Sequence, residues 1–127
     1  MPLVRIDLLA GTTLEYRQAV SAGVHQAMIE AIQIPADDRF QVITEHPPGG
    51  IVYDPQYLGI KRSNQVIFIQ ITLSAGRKPG QKKKLYQRIT ELLAQNPGVK
   101  TEDVLINLIE TAWENWSFGK GEAPYTT

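Results

Sequence analysis

The sequence aligns with itself at an offset of 65 residues, and this internal repeat constrains the fold more than any single motif does. Leu8 falls on Leu73 and Asp38 falls on Asp103, and no gap is needed across the aligned stretch. A self-similar sequence of this kind indicates repeated copies of one supersecondary unit. The chain is therefore expected to fold from two copies of the same unit.

Each copy reads as a strand, a helix and a second strand. The opening segments, residues 3–9 and 66–73, are rich in leucine, isoleucine and valine, which predicts strands buried on at least one face. The returning segments, residues 39–45 and 104–110, predict the second strand of each copy. A strand joined to the next by a crossover helix gives a parallel pair with a right-handed connection.

An amphipathic helix is predicted between the two strands of each copy. In the first copy Thr12 and Glu15 have the spacing of a capping box, and apolar residues recur at helical intervals from Val20 onward. In the second copy Pro79 suits the first helical turn, and a similar apolar stripe begins at Leu85. Both helices are expected to pack on the sheet.

These elements predict an α+β protein with two layers: a four-stranded mixed sheet carrying both helices on one face. The other face of the sheet is left open, so its apolar residues favour a homo-oligomer over a monomer. The length fits a single domain. Its predicted parts are a first repeat at about 2–46, a loop at 47–64, a second repeat at about 65–111 and a C-terminal arm at 112–127.

Two irregular segments stand out from the repeats. The loop after His46 contains a Pro-Pro-Gly-Gly run and is long for a compact domain, which is typical of a lid, a binding loop or an oligomer contact. The C-terminal arm carries Trp113, Trp116 and Phe118 among glycines. Such an aromatic arm is expected to pack over an apolar cleft.

The composition excludes several functional classes. Lysine plus arginine equals aspartate plus glutamate at 13 each, so no overall field favours nucleic acid or a membrane surface, and the cluster at residues 82–84 reads as a solvated helix face. The chain has no cysteine, and His46 has no second ligand at metal-binding spacing, so neither a metal nor a cofactor is expected. Without a signal peptide or a long apolar run, a cytoplasmic location is expected.

Pro2 follows the initiator methionine directly and precedes the first predicted strand. A small residue in this position allows Met1 to be removed, which would turn Pro2 into a free secondary amine. An α-amino group titrates at about pH 8, and burial or a nearby carboxylate shifts it, so it can act as a base or an acid. Its counterpart Ile67 is interior to the chain, so only one copy can carry the amine. A proline placed here by chance, or a retained Met1, is the alternative.

Five short motifs carry a resemblance to a known family. They are Pro2-Leu3 with Asp7-Leu8, Val24-His25, Ile34-Pro35-Ala36-Asp37-Asp38-Arg39-Phe40-Gln41, Glu45-His46, and Trp116-Ser117-Phe118-Gly119 with Gly121. In this order and spacing they resemble the tautomerase superfamily, and within it the group of malonate semialdehyde decarboxylase and its relatives. The resemblance covers almost the whole chain.

The resemblance implies a homotrimer whose active sites use an N-terminal proline, here Pro2, with an aspartate at Asp38 beside it. It also implies an arginine that holds the substrate carboxylate, here Arg77. The better-known decarboxylase has two arginines in an Arg-Pro-Arg run where this chain reads Ser74-Ala75-Gly76-Arg77, which leaves one clear anchor. Asp103, at the equivalent position of the second copy, supports a purely structural role for Asp38 just as directly.

Three further residues are candidates for the substrate site. Some relatives in the superfamily use a histidine near His25 to hold a carboxylate, although a helical histidine is also common in packed cores. Trp116 and Phe118 are expected to wall the pocket, where a dry environment strengthens charge interactions.

The sequence therefore predicts an enzyme without a cofactor that acts on a small oxo acid. Decarboxylation of malonate semialdehyde and keto–enol tautomerisation of a phenylpyruvate-type substrate both fit, and a hydratase or dehalogenase of halogenated acrylates is a third possibility. The alternatives from other classes are a keto-acid-binding protein without catalysis and a structural trimer.

Overall fold

In the computed structural model, which describes residues 1–126, each repeat forms a strand, a helix and a second strand. The first repeat contains β1 (Leu3–Leu9), α1 (Leu14–Ile32) and β2 (Gln41–His46). The second repeat contains β3 (Ile67–Ser74), α2 (Pro79–Gln95) and β4 (Val104–Thr111). The predicted elements are confirmed, with some strand ends moved by one or two residues.

The strands form one mixed sheet in the order β2-β1-β3-β4. Each repeat contributes a parallel pair, β1 with β2 and β3 with β4, and the two repeats join through the antiparallel pair of β1 and β3. In that central pair Leu3 lies opposite Thr72. The start of β1 and the end of β3 are therefore neighbours at one edge of the sheet, which decides where the candidate site can form.

Both helices pack on the same face of the sheet, as predicted. The inward residues of β1 and β3 alternate with outward ones, which is the period of a strand with one face in the core. Gly23 allows the two helices to approach closely, because a Cβ on this residue would stand 2.8 Å from Cδ2 of Leu93. The largest fully buried side chains are Ile6, Met28, Ile67, Ile69, Ile71, Leu73, Leu85, Ile89 and Leu93.

The start of α1 differs from the prediction, while the start of α2 does not. The N-cap of α1 is Thr13, whose hydroxyl accepts a hydrogen bond from the Tyr16 amide at 3.1 Å. The predicted capping box of Thr12 with Glu15 is therefore wrong. The Thr12 hydroxyl instead donates to the Glu45 carboxylate at the end of β2, at 2.8 Å. Pro79 opens α2 in its first turn, as predicted.

The face of the sheet away from the helices is open and mixed in character. It exposes Val42, Leu105 and Ile109, each at 40% or slightly more. It also carries polar pairs, including the hydrogen bond in which His46 Nε2 lies 2.6 Å from Asp7 Oδ1. The expected open face is confirmed, although it is less apolar than an ordinary core layer.

The Arg62 guanidinium is one of the groups that hold the long loop between the repeats. Arg62 donates to the backbone carbonyls of Tyr57 and Ile60, at 3.0 and 3.2 Å. Val52 and Leu58 project from this loop and are strongly exposed, at 87% and 77%. Within residues 1–126, no helix has the length and apolar character needed to cross a membrane.

Candidate active site

The N-terminus and an aspartate meet at the edge of the sheet where β1 begins. Pro2 is buried, and the amino group of Met1 lies 2.6 Å from Oδ2 of Asp38. Both partners of this ion pair are largely enclosed, with 15% and 14% of their side chains exposed. The N-terminal nitrogen and the carboxylate therefore lie together in a site that is largely shielded from solvent.

The parallel pairing of β1 and β2 explains how Asp38 reaches this position. Val4 donates its amide to the carbonyl of Phe40 at 3.0 Å, so the segment that enters β2 runs beside the start of β1. Asp38 closes a turn in which its amide donates to the Pro35 carbonyl at 3.1 Å. Its neighbour Asp37 is exposed, so Asp38 is the aspartate of this pair that faces the N-terminus.

Arg77 approaches the same place from the end of β3. The guanidinium is partly buried and donates from Nη1 to the Ser74 carbonyl at 3.0 Å. Burial lowers the pKa of Arg77, while the charges of Asp38 and Glu110 oppose this shift. Since an arginine stays charged even when its pKa falls, the site holds a fixed cation close to Asp38. Arg77 lies just before α2, whose N-cap is Lys78, rather than on the helix.

Aromatic side chains of the C-terminal arm form a cluster, the aromatic wall, beside the turn that carries Asp38. Trp116 and Phe118 stack with a centroid distance of 5.6 Å and an interplanar angle of 3°. Phe118 also lies 6.0 Å from the ring of Phe40, which is two residues beyond Asp38. The arm thereby contacts the turn that carries the aspartate, while the role of Trp116 and Phe118 as pocket walls stays a prediction.

Two residues of this wall were not predicted as site residues from the sequence. Phe40 was quoted only as part of a motif, and Tyr125 had no periodic or motif signal. Tyr125 packs edge-on against Phe118 at 5.7 Å and against Trp113 at 5.1 Å. Burial and the charge of Asp38 raise the pKa of Tyr125, so its hydroxyl stays protonated at neutral pH.

His25 is the predicted site residue that the structure places apart from the others. It is buried at 7% exposure on α1, and its Nε2 lies 2.7 Å from the carbonyl oxygen of Ala36. The ring therefore contacts the backbone of the turn that carries Asp38. Within the described residues, its Nδ1 has no hydrogen-bond partner.

A cavity lies at the opposite end of β1. Its volume is about 620 Å³, and its lining includes Leu8, Thr12, Tyr16 and Val66. A smaller cavity of about 250 Å³ lies beside Phe118 in the arm. The charged groups near Met1 identify the candidate site more clearly than cavity size does. Among residues 1–126, no three histidine, aspartate or glutamate side chains cluster in a way that could hold a metal ion.

The arrangement has a defined chemical capacity. An amine at the start of β1 can donate or accept a proton, a carboxylate beside it favours the protonated form, and a guanidinium nearby can hold a carboxylate through two parallel hydrogen bonds. Together, these groups can transfer a proton beside a fixed cation that can bind an anion.

Comparison with known proteins supports this class. A family model described as a tautomerase enzyme matches residues 38–119, and a second one with the same description matches residues 2–61. The chain is 42% identical over 123 residues to the probable tautomerase YusQ of Bacillus subtilis, which covers 97% of both proteins. The chain therefore belongs to the tautomerase superfamily, and the resemblance seen in its motifs is confirmed.

Solved structures refine the relationship. A malonate semialdehyde decarboxylase inhibited by 3-bromopropiolate is 42% identical with a TM-score of 0.92, covering 97% of this chain and 93% of the other. A second malonate semialdehyde decarboxylase, studied for its decarboxylase and hydratase activities, is 33% identical with a TM-score of 0.91, at 97% and 95% coverage. A fused 4-OT forming a symmetric trimer shares only the fold, at 16% identity, a TM-score of 0.78 and 94% coverage of each chain.

Proposed function

We propose that this protein decarboxylates a small 3-oxo acid of the malonate semialdehyde type, without a cofactor, using Pro2 as an N-terminal acid. The observation that carries the proposal is the 2.6 Å contact between the Met1 nitrogen and Asp38. The Pro2 nitrogen is one residue further along the chain, about 3–4 Å away. Removal of Met1 therefore leaves a secondary amine within reach of the same carboxylate. The similarity to two malonate semialdehyde decarboxylases supports the choice of substrate.

In the proposed reaction, the two cationic groups Arg77 and Pro2 have separate roles. Arg77 holds the substrate carboxylate, and the protonated Pro2 amine donates a hydrogen bond to the aldehyde oxygen. The bond between the carboxylate carbon and the neighbouring carbon breaks, carbon dioxide leaves, and the electron pair passes into an enolate. A proton delivered to the enolate carbon gives acetaldehyde, and the overall reaction consumes one proton from solvent.

The geometry favours decarboxylation over keto–enol tautomerisation as the main reaction. A tautomerase needs the amine unprotonated, so that it can remove a proton from carbon. In the structure the N-terminal nitrogen is instead the donor of an ion pair, with Asp38 Oδ2 at 2.6 Å. Tautomerisation of a phenylpyruvate-type substrate is the second candidate, since the aromatic wall of Trp116 and Phe118 suits an aryl group.

We also infer that the protein assembles as a homotrimer. The open face of the sheet exposes Val42, Leu105 and Ile109, and Val52 and Leu58 project from the long loop. Apolar groups in this number favour burial against another copy. A symmetric trimer of the same fold, the fused 4-OT, shows one arrangement that the architecture permits. Light scattering coupled to size-exclusion chromatography is expected to give three times the chain mass of 14.2 kDa, whereas the chain mass itself would contradict the trimer.

A substrate panel tests the proposed activity. Malonate semialdehyde, phenylpyruvate and 3-haloacrylates are offered to the wild-type protein and to Pro2→Ala, with products followed by proton NMR. Acetaldehyde formation is expected from wild type, with a loss of about 10²- to 10⁴-fold in Pro2→Ala, which is the usual contribution of general acid–base catalysis. Hydration of the haloacrylates alone would favour a hydratase. Binding of keto acids without turnover would favour a binding protein. If the protein neither binds nor turns over these compounds, the structural trimer is favoured.

A further inference from the structure

The two repeats hold equivalent loops in different ways. In the first repeat, His25 on α1 contacts the carbonyl of Ala36 in the loop that leads to β2, at 2.7 Å. The counterpart of His25 in the second repeat is Thr90, 65 residues later. Thr90 donates its hydroxyl to the carbonyl of Gln87, inside its own helix, at 2.8 Å. Only the loop that carries Asp38 is therefore tied to its helix by a side chain at this position.

A second group of hydrogen bonds in the first repeat shows the same difference. Arg39 Nη2 donates to the Ser21 hydroxyl at 2.8 Å, and Gln41 Nε2 donates to the Ser21 carbonyl at 3.2 Å. Together with His25, these residues form a polar brace between α1 and the segment 36–41. The counterparts of Ser21, Arg39 and Gln41 are Tyr86, Val104 and Ile106, which cannot form the same bonds.

The fold itself does not require this brace. The second repeat builds the same strand, helix and strand with Tyr86, Val104 and Ile106 in these positions. Burying polar side chains such as His25 and Ser21, at 7% and 9% exposure, costs free energy unless their hydrogen bonds compensate. The difference between the repeats coincides with a difference in chemistry, because Asp38 faces the N-terminal nitrogen, while Asp103 does not.

The hydrogen bonds of Asp103 show how the equivalent carboxylate is oriented in the repeat that lacks a bond like that of His25 to Ala36. Asp103 is 1% exposed and accepts hydrogen bonds from the amide and the hydroxyl of Ser63, each at 2.7 Å. These two bonds orient Asp103 through the chain that enters β3. Among residues 1–126, Asp38 instead has the terminal amino group as its partner, which is a chain end and is tied to the rest of the chain on one side alone. Its orientation therefore needs support from the loop side.

We propose that His25 is a positioning residue: through the Ala36 carbonyl it fixes the turn that holds Asp38 against the N-terminal nitrogen. Because His25 Nε2 is hydrogen-bonded to the Ala36 carbonyl, His25 acts through the loop rather than by contacting the substrate. The catalytic consequence rests on the proposed function, while the geometric consequence does not. The N-terminal amine pairs with Asp38, and the charge of Asp38 also acts on Arg77 and Tyr125; none of these three groups lies on α1.

Three variants separate this role from simple packing. His25→Leu keeps a side chain of similar size without a donor, and His25→Asn has a donor too short to reach Ala36. His25→Gln can still donate an N–H to the Ala36 carbonyl and serves as the rescue variant. Thr90→Val is the matched control, since it changes the equivalent helix position where no loop is tied.

Activity-independent readouts come first, on the full-length protein. In His25→Leu and His25→Asn, crystal structures are expected to show the distance from Asp38 Oδ2 to the N-terminal nitrogen opening beyond 4 Å, and amide hydrogen exchange at residues 36–39 is expected to rise at least 10-fold. His25→Gln and Thr90→Val are expected to match the wild type. An unchanged distance and unchanged exchange in both loss variants would overturn the proposal. If His25→Leu does not fold, His25→Asn and His25→Gln still decide it.

Kinetics then test the catalytic part. A displaced carboxylate is expected to lower kcat by on the order of 10- to 100-fold, since small misplacements of catalytic groups have effects of this size. The KM is expected to change less than about 3-fold, because Arg77 and the aromatic wall stay in place. A fall in kcat that His25→Gln fails to restore would overturn the positioning role. An inactive wild type would contradict the proposed function, while the distance and exchange measurements would still decide the role of His25.

Discussion

The two equivalent aspartates are expected to respond differently to replacement by asparagine: Asp103→Asn mainly lowers stability, and Asp38→Asn mainly lowers activity. Asp103 is almost fully buried and accepts two hydrogen bonds of 2.7 Å from Ser63. In Asp103→Asn the amide oxygen can still accept from the Ser63 amide, and the amide nitrogen can donate to the Ser63 hydroxyl oxygen once that hydroxyl turns. Both bonds then lose their charge: a hydrogen bond to a charged group is worth about 1.5–3 kcal/mol, against about 0.5–1.5 kcal/mol for a neutral one. The expected loss of stability over the two bonds is therefore about 2–3 kcal/mol.

Asp38→Asn removes an ion pair at a chain end instead. The amine of the N-terminus can turn toward water when its partner is lost, so we expect a loss below about 2 kcal/mol. Decarboxylation, in contrast, is expected to fall by about 10²- to 10⁴-fold in Asp38→Asn. Asp103→Asn is expected to keep its activity under conditions where it remains folded.

Urea denaturation followed by circular dichroism measures these differences. All variants are compared at one protein concentration, because the stability of an oligomer depends on it. Substrate turnover is measured on the same samples, well below the urea midpoint of each variant. Equal losses of stability in the two variants would refute the reasoning. So would full activity in Asp38→Asn, because the repeats would then carry two structural aspartates and no catalytic one.

Three further predictions follow from the site and the core. Arg77→Ala is expected to raise KM for the oxo acid by about 10- to 100-fold in steady-state kinetics, which corresponds to the loss of a charged hydrogen bond, and circular dichroism controls for general damage to the fold. Burial and the charge of Asp103 raise the pKa of Tyr16, so its contribution to stability is complete below about pH 10 and is lost as the pH rises through the higher folded value. The unfolding free energy is expected to fall between pH 9 and 11 less steeply in Tyr16→Phe than in wild type, and identical slopes would count against this assignment. Phe118→Ala is expected to release Trp116 from its stack, shifting tryptophan emission to longer wavelength and raising KM, whereas an unchanged spectrum would show that the arm is held elsewhere.

Much of the fold could be predicted because the repeat and the apolar patterns are local signals. The strand and helix bounds follow from periods of two and of 3.6 residues, and the end of α1 before Pro35 follows from proline geometry. The helix start at Thr13 could not be predicted, because Thr12 has an equally good capping side chain. The choice between them is made by Glu45, which is 33 residues away and hydrogen-bonded to Thr12.

The candidate site was harder to predict for the same reason. Pro2, Asp38 and Arg77 come from three distant segments, and the antiparallel register of β1 and β3 brings the first and last of them to one edge. Tyr125 reaches the site only through packing on Phe118 and Trp113, for which an irregular arm gives no periodic signal. The contact of His25 with Ala36 involves a backbone carbonyl, and no side-chain pattern encodes that partner.

Mass spectrometry of the protein purified from its own host tests the central claim most directly. The intact mass shows whether Met1 is removed, and a second sample is treated with 3-bromopropiolate, the compound that inhibits the 42% identical decarboxylase. The account predicts a chain shorter by one methionine and a single adduct that peptide mapping places on Pro2. A retained Met1, or an adduct on any residue other than Pro2, would contradict the claim that a free proline amine beside Asp38 performs the chemistry.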